Sequence, residues 1–167
     1  ATGMEPSVPV YMLVKCQNFM TIRAYKFRLY PSKQQESLLF RHLEISRQAW
    51  NVLLEKSKER YREEHSFYSI SEMQRMMKGS ELFSQTAQAV CHRLYAAIKR
   101  KILAKKQHRS CGFPRFKAAG RVKSLYYPQF GFLLEEKLNV TPFGAMTIKK
   151  HREMPDKAKT LTIKRES

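Results

Sequence analysis

Thr21-Ile22-Arg23-Ala24-Tyr25-Lys26-Phe27-Arg28-Leu29-Tyr30-Pro31-Ser32-Lys33-Gln34-Gln35 decides the opening of the fold. Tyr25, Phe27 and Leu29 alternate with Lys26, Arg28 and Tyr30. That two-residue period predicts a strand with one apolar face and one basic face carrying an aromatic ring. Pro31 stops it. Ser32 and Gln35 then have the S-x-x-Q form of a capping box, in which each residue satisfies the other's backbone N–H. The helix it opens carries Leu39, Leu43, Trp50, Leu53, Leu54 and Tyr61 at helical spacings, and is expected to run to about Glu64.

Further along, His65 to Ile70 is a connector, and Ser71-Glu72-Met73-Gln74 repeats the capping-box form. A short helix through Met77 is expected, with Gly79 as its stop. Another helix begins near Ser80 or Ser84. Leu82, Ala89, Val90, Leu94, Ala97, Ile98 and Ile102 make its buried stripe, and Arg93, Lys99, Arg100, Lys101, Lys105 and Lys106 crowd its later turns, where cations suit the helix dipole. After Gln107, Pro and Gly interrupt the chain every few residues. Short strands are expected at 125–127, 138–140, 145–149 and 160–165, with a hairpin turn at Thr141-Pro142-Phe143-Gly144. Residues 1–19 look added on, an upstream extension or a remnant of cloning with Met20 as the natural start. They lack the basic start and cleavage site of a secretory signal. The expected fold is α+β: a small barrel built from strand 21–30 and the strands after 120, interrupted by an all-helical insertion.

Charge narrows the function. The 167 residues carry 32 Lys and Arg against 14 acids, a formal net charge of +18. From Ser84 to Leu134 there is no acid at all. Such a stretch cannot neutralise itself, and its usual partner is nucleic acid. Phe113, Phe116, Tyr126 and Tyr127 interleave with that charge as faces on which bases can stack; the competing reading is a solvated basic surface with core aromatics. No apolar run approaches the roughly 20 residues needed to cross a bilayer, so no membrane partner is expected.

The acids narrow the chemistry. Asp156 is the single Asp, and the adjacent pairs Glu63-Glu64 and Glu135-Glu136 point in different directions on a helix or strand. Two-metal catalysis needs converging carboxylates, so no catalytic residue and no metal ligand set is expected. Cys16, Cys91 and Cys111 form no C-x-x-C pair, and Cys91-His92 is a single contiguous pair. Scattered cysteines fit a reducing compartment, cytoplasmic or, in a eukaryote, nuclear.

Three motifs carry a resemblance. Residues 22–31 with Gln34-Gln35, then Gly112-Phe113-Pro114-Arg115-Phe116-Lys117, then Thr160-Leu161-Thr162-Ile163-Lys164-Arg165-Glu166 resemble, in order and spacing, the N-terminal half of transposon-encoded TnpB (OrfB) proteins. These are RNA-guided DNA endonucleases related to type V CRISPR effectors. The resemblance implies a wedge (WED) β-barrel, with its first strand at 20–31 and the remainder at 111–167. It implies a helical recognition (REC) insertion at 32–110. It also implies that the RuvC nuclease and zinc-finger domains, with their Mg and Zn, lie after Glu166, outside this sequence. The implied partners are a structured guide RNA, double-stranded DNA with a short adjacent motif, and a RuvC-containing portion.

Matched by position, the residues that read the DNA motif are Tyr68, Ser71, Gln85, Gln88 and the Gln129-Phe130-Gly131 segment. Gln85 and Gln88 lie on adjacent turns, and Gln can pair bidentately with adenine. Lys26, Arg28, Tyr30, Lys99, Arg100, Lys101, Arg115, Phe116 and Lys117 are the expected RNA and phosphate contacts. The alternative function is a standalone DNA-binding regulator or interaction module derived from such a protein.

Overall fold

A computed structural model describes residues 9–17, 20–154 and 157–166. Asp156 and most of the 1–19 segment's first half lie outside these described residues. The elements are β1 (Val10–Gln17), β2 (Ile22–Tyr30), α1 (Lys33–Glu64), α2 (Ile70–Met76), α3 (Ser84–Lys106), β3 (Ser124–Tyr127), β4 (Phe132–Leu134), β5 (Lys137–Val140), β6 (Gly144–Lys149) and β7 (Ala158–Arg165). The chain divides into two compact units, one comprising residues up to Leu43 and from Lys123, the other Glu44–Val122.

The first unit is a seven-stranded sheet of order β3-β7-β1-β2-β6-β5-β4, antiparallel throughout. Alternate residues of each long strand are buried: Met12 and Val14 on β1, Tyr25, Phe27 and Leu29 on β2, Leu161 and Ile163 on β7. The sheet is open rather than closed, because its end strands β3 and β4 share no ladder. The ends still meet through side chains. The Tyr127 ring packs edge-on against Phe132 at 6.5 Å, and its hydroxyl donates to Thr141 O at 2.8 Å. The predicted hairpin turn joins β5 to β6, with Gly144 at a φ of 81° that favours glycine.

β1 departs from expectation. The tail set aside as an addition supplies a central strand, paired along its whole length with β2 and from Val10 to Cys16 with β7. The Ser32–Gln35 box forms as predicted, with Gln35 N–H donating to Ser32 Oγ at 3.2 Å and Ser32 N–H to Gln35 Oε1 at 2.9 Å. The Gln35 amide also donates to the carbonyls of Phe143 and Ala145, clipping the helix start to the β5–β6 turn.

The second unit is helical. Leu53, Leu54, Met73, Val90, Cys91, Leu94 and Ile98 form its core. Its second capping box sits two residues earlier than predicted: Ser69, not Ser71, is the cap, because Ser69 and Glu72 have the spacing that lets each reach the other's backbone N–H. α3 starts at Ser84 after Phe83, without a side-chain cap. Among the described residues no helix is long and apolar enough to cross a membrane.

Candidate nucleic-acid interface

Two surfaces, one on each unit, carry the expected residues. On the helical unit the Gly112–Lys117 motif is fastened to α1. Asn51 accepts from the Lys117 N–H at 2.8 Å and donates to the Lys117 carbonyl at 3.0 Å. Arg47 donates to that same carbonyl at 3.0 Å, and Trp50 Nε1 donates to Arg115 O at 3.1 Å. Arg47 is itself held by the carboxylate of Glu44, and its hydrogen bond keeps that carboxyl below the usual range. Peptide groups left unpaired in a loop are costly to bury; here α1 side chains satisfy them and fix the path of the backbone.

That path sorts the motif's side chains. Phe113 turns into the unit, edge-on to Tyr61 at 5.5 Å and tilted against Phe67 at 6.1 Å. Phe116 is 50% exposed, with Lys58 Nζ 4.5 Å from its ring centroid. Arg115 is exposed, and Lys117 Nζ lies 4.5 Å over the Trp50 ring. The expectation that all four interleaved aromatics offer stacking faces is therefore corrected. Phe113 is a packing residue and Tyr127 is fully buried, with burial raising its hydroxyl pKa, while Phe116 remains available. Lys99 and Arg100 are exposed on α3, whereas Lys101 packs its ammonium 4.5 Å from the Phe113 ring and reaches the Cys111 carbonyl.

The same unit holds a cavity of about 550 Å³ lined by α2, the turn after it and the start of α3. Ser71 and Gln88 both line it, beside Arg75 and Lys78. Gln85 does not; it is 8% exposed and interacts within the protein. Tyr68 packs against the core, with the Arg60 guanidinium 4.5 Å over its ring. Arg60 also binds Glu72 at 3.1 Å. Gln129 is exposed on the sheet unit. The structure thus joins two of the five expected motif readers in one cavity. It adds Arg75 and Lys78, whose only sequence signal was a basic residue on either side of a helix end.

On the sheet unit, register brings together what sequence spacing cannot. Opposite the core face, one row runs Lys149, Arg28, Tyr11, Lys164, Ser124 across β6, β2, β1, β7 and β3. Lys26 Nζ lies 4.3 Å and the Arg28 guanidinium 5.8 Å from the Tyr11 ring centroid, and Arg28 is 5.6 Å from that of Tyr30. Arg28 Nε is buried without a hydrogen-bond partner, an omission that typically costs about 1–3 kcal/mol. Lys26 is paired with Glu166 at 2.6 Å, and this holds the Glu166 carboxyl below its usual range. Tyr11, Lys149 and Lys164 were not foreseen in the sequence.

No three His, Cys, Asp or Glu side chains among the described residues cluster as a metal site. Cys91 is buried, which pushes its thiol up to about 11, where it is inert at neutral pH.

Residues 20–66 match the family model for the helix-turn-helix domain of OrfB_IS605 proteins. The match supports an N-terminal region of a transposon OrfB/TnpB protein and suggests DNA binding in a transposon-associated protein. A comparison with curated proteins finds no match. Within the matched segment the structure has β2 followed by one uninterrupted helix of 32 residues. The pair of helices that places a recognition helix in the major groove is not formed there.

Proposed function

We propose that this chain is the guide-RNA-binding and DNA-motif-recognising part of a TnpB-like, RNA-guided DNA endonuclease, its wedge built on the sheet unit and its recognition part on the helical unit. The observation that carries the reading is the fastening of Gly112–Lys117 by Arg47, Trp50 and Asn51. All three anchors lie inside the matched family segment, and the motif they hold lies far outside it. Two parts of the resemblance are thus coupled physically, and the result is a fixed loop presenting Arg115 and Phe116. In this role Arg115, Lys99 and Arg100 neutralise RNA phosphates and Phe116 stacks on a base. Ser71 and Gln88, with Arg75 and Lys78 beside them, meet the DNA: the cations hold backbone, and the Gln88 amide pairs with a base edge. Nuclease chemistry, with its metal, belongs to a RuvC-containing portion.

The second reading, a standalone DNA-binding regulator, draws on the helix-turn-helix description of the matching family. It is the weaker, because the matched segment holds the single continuous α1 and no second helix to enter the groove. A binding assay separates the two. In the proposed role the chain binds structured RNA, and affinity falls steeply with salt as counterions are released. Arg115→Ala with Lys117→Ala weakens it and flattens the slope by about one unit per lost contact. Binding that is indifferent to salt and to these substitutions, or tight duplex binding with no RNA present, refutes the proposal.

A further inference from the structure

We infer that Tyr11, on a strand outside the matched family segment, is a positioning residue that sets Lys26 and Arg28 at the phosphates of a bound single strand. This rests on the nucleic-acid-binding reading above and adds to it a residue of β1 and a defined role. β1 spans Val10–Gln17 and the family match begins at residue 20. The strand nevertheless lies between β2 and β7, and register sets Tyr11 directly opposite Arg28 on one side and Lys164 on the other.

The geometry gives Tyr11 its work. Two cations on one strand, two residues apart, repel each other and, left alone, would sample many rotamers. The Tyr11 ring attracts both, at 4.3 Å and 5.8 Å, and Tyr30 takes Arg28 from its other side at 5.6 Å. Cation–π attraction of this kind holds charge in place without neutralising it. A carboxylate would cancel it instead, as Glu166 does for part of the Lys26 charge. Lys149 and Lys164, opposite Arg28 and Tyr11, extend the patch. Cations held in place by aromatic rings and flanked by lysines fit the phosphodiester backbone of an unpaired strand.

Salt dependence isolates the positioning role, because Tyr11 carries no charge. The full chain is titrated with a 5′-labelled, unstructured 12-nucleotide RNA and with the matching DNA oligonucleotide over a range of salt. Tyr11→Leu, which keeps a strand-compatible apolar side chain, is expected to weaken binding about three- to tenfold. It should also lower the slope of log K against log salt by up to about 1.4, the share of two phosphate contacts on a single strand. Tyr11→Phe, which keeps the ring, restores both. Thermal melts of the two variants check that the sheet is intact; if Tyr11→Leu melts early, Lys26→Gln in wild-type and Tyr11→Phe chains must give the same loss of slope. Binding weakened at unchanged slope overturns the inference, since the ring then acts by contact alone. Equal affinity in Tyr11→Leu and wild type also overturns it but leaves the functional reading standing. Failure of every form of the chain to bind either oligonucleotide overturns both.

Discussion

Replacing Asn51 by Ala removes the side chain that pairs with both backbone groups of Lys117. The two bonds are 2.8 Å and 3.0 Å long. A hydrogen bond contributes about 1 kcal/mol net. The Lys117 carbonyl keeps its second donor, Arg47, but the Lys117 N–H keeps none of the acceptors seen here. The expected loss is therefore about 1–2 kcal/mol, which raises the open population of the loop about 5- to 30-fold. Hydrogen exchange read by mass spectrometry measures this directly. Peptides covering residues 112–118 should lose protection by that factor while those within α3 stay unchanged. RNA binding that requires the closed loop cannot weaken by more than the same factor; a larger loss would assign Asn51 a contact with RNA itself. Unchanged protection at 112–118 refutes the claim that α1 fastens the motif.

The two phenylalanines of the motif should separate cleanly. Phe113→Ala opens the packing against Tyr61 and Phe67 and destabilises the helical unit by about 2–4 kcal/mol, below the full cost for a buried Phe because the site is only half-buried. Phe116→Ala leaves the melting temperature unchanged and weakens RNA binding. Met12→Ala, at a fully buried position of β1, costs about 2–5 kcal/mol in the melt of the sheet unit; a negligible cost would return residues 10–17 to the status of an addition. Glu72 receives the Ser69 backbone N–H and the Arg60 guanidinium, and both lower its pKa. Its contribution to the α2 cap is therefore full above the ordinary carboxylate pKa of about 4.3 and is lost as pH falls through the lower folded value. Amide exchange in α2 should rise on acidification in that window, and Glu72→Gln should abolish the dependence.

What was legible in the sequence was local. β2 and α1 follow from alternation, Pro31 and the Ser32–Gln35 box, all within a few residues of one another. The Leu161/Ile163 alternation likewise marks β7. β1 escaped because Tyr11 and Leu13 are as apolar as Met12 and Val14, so no period of two stands out. Its partners, moreover, are β2 and the far end of the chain. β4 escaped because it is three residues long. Whether the sheet closes depends on how β3 meets β4 through Tyr127 and Phe132, which no local pattern encodes. The site follows the same rule. The motif 112–117 was conspicuous, but which of its aromatics would be buried depended on Tyr61 and Phe67, and its anchors Arg47, Trp50 and Asn51 look in sequence like ordinary helix residues.

If RNA binds first and DNA is recognised through it, the nucleic acid that co-purifies with the chain should be RNA. The chain is expressed beside its own flanking DNA, purified at moderate salt, and the nucleic acid that accompanies it is sequenced. The expected result is one defined, structured RNA, lost at high salt and depleted by Arg115→Ala with Lys117→Ala, and duplex binding that disappears when that RNA is digested. A chain that purifies free of RNA and binds a specific duplex tightly by itself would overturn the RNA-guided reading.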